Sequence, residues 1–125
     1  MRPAPWGGKR TSRVAEMLKE QIALILLNKS RDPRLTEVTI TGVEMSPDLK
    51  QARVFYVARE GLDLDAAQTA LDKAQGFVKQ EVAREHFLRI MPELHFLPDK
   101  GWEQAQKLEK LFKEAAARPG TEDKS

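Results

Sequence analysis

Cysteine is absent from the chain. That excludes a disulfide framework and any thiolate metal site, and it suits a reducing interior. Histidine is nearly absent. His86 and His95 are the only imidazoles, they fall on different expected elements, and no HExxH-type spacing joins them. No metal site is expected from either. Aromatic residues are only 6%, and most fall in core phase, so no stacking platform of the RRM kind is expected. No run approaches 18 consecutive apolar residues, so no membrane span is expected. The opening MRPAPWGGKR lacks an apolar core segment, so a secretory signal is not expected either. There is no G-x-S-x-G elbow and no P-loop. Ser12, Ser30, Ser46 and Ser125 sit in capping, turn or tail contexts. The acidic residues Glu60, Asp63, Asp65 and Asp72 are read as favouring a helix N-terminus rather than as an acid–base pair. No catalytic residue, cofactor or small-molecule substrate is expected.

The 125 residues are 41% hydrophobic and 32% charged, enough for one modest core beneath a charged surface. Net charge is +2, but its distribution is uneven. Residues 1–35 hold eight Lys/Arg against three Asp/Glu, and residues 36–100 hold eight against eleven. The positive charge belongs to the N-terminal quarter, which points to a polyanionic partner.

Residues 1–10, with two Pro and two Gly, are expected to form a flexible tail. Thr11 or Ser12 is the expected cap of a first helix. Val14, Leu18, Ile22, Ile25 and Leu26 recur at helical spacing to about Asn28. EVTITGVEM reads as a strand whose alternation slips: Val38 and Ile40 are in one phase, Val43 and Met45 in the other. A β-bulge near Thr41–Gly42 would return all four to one face. Ser46-Pro47-Asp48 is a turn sequence, and residues 50–58 form a second strand, giving an antiparallel hairpin. From residue 64 to about 89, Ala67, Leu71, Ala74, Val78 and Val82 mark a helical stripe that contains Gly76. ELHFLP is a third strand. Trp102, Ala105, Leu108, Leu111, Phe112 and Ala115 mark a last helix. One domain over 11–117 is expected, with a disordered tail at 118–125.

Gly76 costs about 1 kcal/mol relative to Ala in a helix interior. Either it is tolerated, or it permits close helix–sheet packing where a side chain would not fit, or it breaks one helix into two and exposes amide groups that can bind phosphate. KH modules grip a nucleic-acid backbone at such a helix pair through a GXXG loop. Here only Ala74-Gln75-Gly76 is available for the turn.

RDPRL (31–35), VTITGVEMSPDLKQARVF (38–55), ALDKAQGFVKQEVA (70–83) and LRIMPELHFLPD (88–99) resemble the ribosome-binding factor A family, in the family's order and over about residues 10–112. The resemblance implies an α+β, KH type II-like fold: α-β-β-α-(kink)-α-β with an extra C-terminal helix, and a three-stranded sheet with helices on one face. It implies a cytoplasmic, non-enzymatic factor, expected to be monomeric, that binds small-subunit rRNA during late maturation and leaves before translation. It also implies an interhelical kink on Ala74, Gln75 and Gly76. The chain departs from the family pattern in three places. Gly101 stands where family members usually have Ser, so Asp99 becomes the alternative cap. The tail with Trp6 has no counterpart, and TEDKS replaces a basic extension. For RNA contact the first choices are Lys9, Arg10, Arg13, Arg31 and Arg34. The second rank is Lys50, Arg53, Lys73, Lys79 and Arg84. The rival reading is a protein-interaction adaptor that docks through the acidic segment 60–72 or the final helix.

Overall fold

The computed structural model describes residues 9–59, 61–86 and 88–117. Of the tails expected at 1–10 and 118–125, residues 1–8 and 118–125 lie outside this range. Helix α1 (Lys9–Asn28) leads through a 3-10 turn (Pro33–Glu37) into strands β1 (Val38–Met45) and β2 (Gln51–Ala58). Helix α2 (Leu64–Ala83), strand β3 (Glu93–Pro98) and helix α3 (Lys100–Ala117) follow.

Ala15, Leu18, Ile22, Ile25 and Leu26 of α1 are buried. They join one core with Ala52, Val54 and Tyr56 of β2 and with Ala67, Leu71, Val78 and Val82 of α2. Each large aliphatic side chain so covered contributes about 1.5–3 kcal/mol before chain entropy is counted. Thus α1 and α2 share one face of the sheet. Phe55 and Val57 are also buried, although strand alternation turns them to the other face. α1 starts at Lys9, upstream of the expected cap at Thr11 or Ser12. Lys and Arg are good helix formers, so nothing at Lys9 or Arg10 stops the helix earlier.

The sheet order is β1-β2-β3. β1 and β2 are antiparallel, and their register shifts between Ile40 and Gly42. Thr41 is the extra residue. On the core side Val38 pairs with Ala58, Ile40 with Tyr56, Val43 with Val54, and Met45 with Ala52. The bulge therefore puts all four β1 residues against the core, as the phase slip required. In the hairpin turn Leu49 has φ 61°, a region costly for a branched side chain. Its side chain packs on the core, which offsets that cost. β3 runs parallel to β2, with Val54 opposite Phe96. Residues 59–92, including α2, form the crossover.

Two helix expectations need correction. α2 is a single helix through Ala74, Gln75 and Gly76, not two helices divided there. Gly76 has no positive φ, so it costs helix propensity without breaking the hydrogen-bond ladder. α2 also ends at Ala83 rather than near residue 89. His86 sits at φ 57°, a left-handed residue of the kind that terminates helices. α3 begins directly after Asp99, whose Oδ2 accepts a 2.6 Å hydrogen bond from Thr41 Oγ1. The later part of its apolar stripe is left open: Leu108, Leu111 and Phe112 are 53%, 61% and 66% exposed.

Candidate nucleic-acid interface

The ten expected cations do not form one patch. Lys9 and Arg10 open α1, and their side chains lie outside the described residues. Arg13 is exposed. The helix separates this group from the Arg31–Arg34 loop, since Arg13 to Asn28 alone spans about 22 Å at the α-helical rise. A partner touching both groups must extend along the whole of α1.

Nearby carboxylates decide which cations keep their charge available. Asp32 caps the 3-10 turn by accepting from the Arg34 amide at 3.0 Å. The same carboxylate holds the Arg34 guanidinium, with Nη2 at 2.8 Å from Oδ2 and Nε at 3.1 Å from Oδ1. These bonds to Arg34 lower the Asp32 pKa from its ordinary value and raise that of Arg34. Arg34 is thus a structural clamp on its own loop. Lys79 pairs with Glu93 at 3.1 Å, and Arg84 with Glu81 at 3.4 Å. Glu81 is nearly buried and also takes Lys29 at 3.0 Å, which ties the end of α1 to α2. Arg53 lies on the sheet face opposite the core, largely covered and 3.7 Å from Glu44. Arg13, Arg31, Lys50 and Lys73 form no ion pair with a described residue.

Arg31 and Lys73 meet at a groove of about 400 Å³. The Ser30–Leu35 loop forms one wall, and Ala70, Lys73, Ala74 and Phe77 of α2 form the other. Leu35 and Ala70 are buried beneath it, while Phe77 remains 37% exposed. Sequence reasoning passed over Phe77. Its signal was phase: an aromatic standing outside the Ala67–Leu71–Ala74–Val78–Val82 stripe. Gly76, the next exposed position on α2, has open space where a Cβ would stand.

Gln75, in the middle of the expected kink, has a structural task. Glu93 and Asp99 donate their amides to the Lys50 and Tyr56 carbonyls of the β2 side. Alternation then turns the Leu94 and Phe96 carbonyls to the free edge of β3. Gln75 Nε2 donates to the Leu94 carbonyl at 2.7 Å, and Gln68 Nε2 to that of Phe96 at 3.0 Å. Gln68 Oε1 in turn accepts from Tyr56 Oη at 2.5 Å. Two side chains of α2 therefore cover an edge that would otherwise offer open hydrogen-bonding groups.

Two of the acidic residues are likewise engaged locally. Asp63 caps α2 by accepting from the Asp65 amide at 3.2 Å, and Asp72 accepts from Gln68. His95 is exposed and lies 2.6 Å from Gln51 Oε1. Among the described residues no group of three potential ligands is placed to hold a metal ion, and no helix is long and apolar enough to cross a membrane.

An α-β-β-α-β core with α1 and α2 on one face is a KH type II-like α+β domain, a class that includes binders of nucleic-acid backbone. The family model for ribosome-binding factor A matches residues 10–112. Ribosome-binding factor A of Coxiella burnetii is 36% identical over 94% of this chain and 98% of its own length. That of Syntrophus aciditrophicus is 41% identical over 85% and 87%. The chain belongs to the ribosome-binding factor A family. The crystal structure of the Thermus thermophilus member matches with a TM-score of 0.64 at 28% identity, over 70% of this chain and 94% of that one. A homology model of the same Thermus factor, fitted into a cryo-EM map of a 30S complex, matches with a TM-score of 0.59 at 29% identity over 70% and 92%.

Proposed function

We propose that this chain is a non-catalytic assembly factor that binds the rRNA of the small ribosomal subunit and assists its late maturation and processing. It acts in the cytoplasm as a monomer. The observation that carries this reading is the likeness to the Thermus factor placed in a 30S complex, within a shared family. The charge distribution supports it: phosphate contacts supply affinity, and the shape of the fold selects the site. Nothing in the mechanism requires a bond to be made or broken. The protein supplies fixed cations on a rigid body, Arg13 at one end of α1 and Arg31 with Lys73 beyond the other.

The test is charge reversal. Arg10, Arg13 and Arg31 changed to Glu together should weaken co-sedimentation with small subunits and leave the thermal melt unchanged. The slope of log affinity against log salt should shrink by about 0.7–0.9 for each phosphate no longer neutralised. Arg34→Glu is made separately, because it sets a second carboxylate against Asp32 and perturbs the loop. Unchanged sedimentation of the triple variant at low salt would remove the RNA assignment.

One observation favours a second reading, in which the chain docks on a ribosomal protein: the open Leu108–Leu111–Phe112 stripe of α3. Salt-insensitive binding to a ribosomal protein in an RNA-free reconstitution, lost in Leu111→Asp, would establish it in place of the clamp.

A further inference from the structure

The groove between the Ser30–Leu35 loop and α2 combines two properties. Its floor is apolar, with buried Leu35 and Ala70, and its wall carries the half-open ring of Phe77. Its rim is cationic. Arg31, Arg34 and Lys73 face a single carboxylate, Asp32, and Arg34 already satisfies that carboxylate through a bidentate contact. Arg31 and Lys73 are exposed, and neither forms an ion pair at contact distance with a described residue, although Lys73 feels the charge of Asp32. An apolar ligand would leave both cations unanswered, and a bare anion would leave the ring and the apolar floor unused. A nucleotide answers both: a flat π-surface for Phe77 and a phosphate for Arg31 and Lys73.

We propose that this groove seats one unstacked nucleotide of single-stranded RNA, its base against Phe77 and Ala74 and its phosphate at the Arg31–Lys73 rim. The proposal rests on the assembly-factor reading and makes it specific. The bound rRNA presents a strand with a splayed base here, not the face of a duplex. A base held within an A-form stack cannot reach a recessed floor, whereas bases in loops and at ends can be turned out. The volume, about 400 Å³, lies at the small end of the range for sites that enclose a compact ligand. A docked peptide helix would present apolar anchors at i, i+3, i+4 and i+7, and those would leave the Arg31 and Lys73 charges at the rim unanswered.

Fluorescence anisotropy with the full chain tests the idea. The probes are a short oligouridylate, which is largely unstacked in solution, the same strand with its bases removed, and an RNA duplex of similar charge. Oligouridylate should bind more tightly than the abasic strand. Phe77→Ala should weaken it by about 5- to 150-fold, the range for loss of one base–aromatic stack. Phe77→Leu, which keeps apolar bulk without a π-face, should fall between. Lys73→Gln should weaken binding and reduce the salt slope by about 0.7. Should Phe77→Ala fail to fold, Phe77→Leu and the amide shifts of Ala70 and Ala74 during titration of the unmodified chain carry the test.

Equal binding of oligouridylate and the abasic strand, or equal binding by the Phe77 variants, overturns the proposal. So does tighter binding of the duplex. So does capture of an RNA-free ribosomal protein that depends on Phe77 while oligouridylate fails to bind. Co-sedimentation of the unmodified chain with small subunits separates the two failures. If co-sedimentation persists while the base goes unread, only the groove assignment falls. If it is absent while base and abasic strands are discriminated, the groove stands and the ribosomal reading falls.

Discussion

Replacing Gly76 by Ala should stabilise this protein, and the size of the effect follows from its surroundings. Three costs normally oppose such a change: steric clash, a left-handed backbone, and loss of a close approach. None applies. The position is exposed, a Cβ built there meets nothing within 4 Å, and φ is not positive. The helix propensity difference of about 0.8–1 kcal/mol is then gained in full, partly through a less flexible unfolded chain. For a domain of this size that raises Tm by roughly 3–6 °C. Gly61 is the control. A Cβ there also meets nothing within 4 Å, but φ is +94°. Gly61→Ala should therefore destabilise by about 1 kcal/mol or more, since only the backbone angle opposes it. Two glycines with equal room for a methyl group should respond with opposite sign. Differential scanning calorimetry of both variants decides the matter. A lower Tm for Gly76→Ala would refute the reasoning, because it would mean that the folded backbone there needs an angle unlike that of a helix. A higher Tm combined with weaker small-subunit binding would show that the glycine serves RNA contact rather than folding.

Deleting Thr41 should be far more damaging than truncating any one β1 side chain. It removes the bulge residue, so either Val43 and Met45 or Val38 and Ile40 must turn from the core to the opposite face. The loss should be at least about 3 kcal/mol, the cost of exposing two such side chains, read by urea unfolding. Gln75→Leu should cost about 1 kcal/mol by leaving the Leu94 carbonyl without its donor. It should also make the protein more prone to self-association along β3, measurable by sedimentation velocity. Acid should weaken the fold through Asp32, held low chiefly by its side-chain bond to Arg34, and Asp48, held low chiefly by the Ser46 hydroxyl. Both folded pKa values lie below the ordinary 3.8, so their contribution is complete above about pH 4–5 and is lost as pH falls through the depressed values. Asp48→Asn should flatten the acid limb of Tm against pH, and an unchanged limb would exclude Asp48 from it.

Local rules made much of this legible in advance. A strand has period two, so the slip between Ile40 and Val43 demanded an extra residue, and Thr41 is that residue. The α1 stripe needed no partner to be named, because periodicity alone marked its buried side. Glycine was less informative. Its identity permits any φ and prescribes none, so Gly76 could not be assigned to a kink or to a plain helix from the letters around it. The end of α2 was hidden for a related reason: a left-handed His86 is permitted by its side chain but not announced by it. The site was least legible. Whether a cation is available depends on carboxylates distant in sequence, as in Lys79 with Glu93 and Lys29 with Glu81. Phe77 became visible only once the loop before β1 was known to pack against α2.

The central strand acquires its first neighbour within a few residues but its second only after the chain has travelled through residues 59–92. While this polypeptide is still being synthesised, β2 therefore emerges with a raw flank that nothing yet synthesised can close. Chains released before residue 98 should be sticky rather than merely incomplete, because long-range parallel pairing forms late and leaves unfinished intermediates prone to aggregate. The segment that carries β3 is thus needed to keep the residues before it soluble, and stop codons placed upstream of β3 should yield inclusion bodies instead of a shortened working protein.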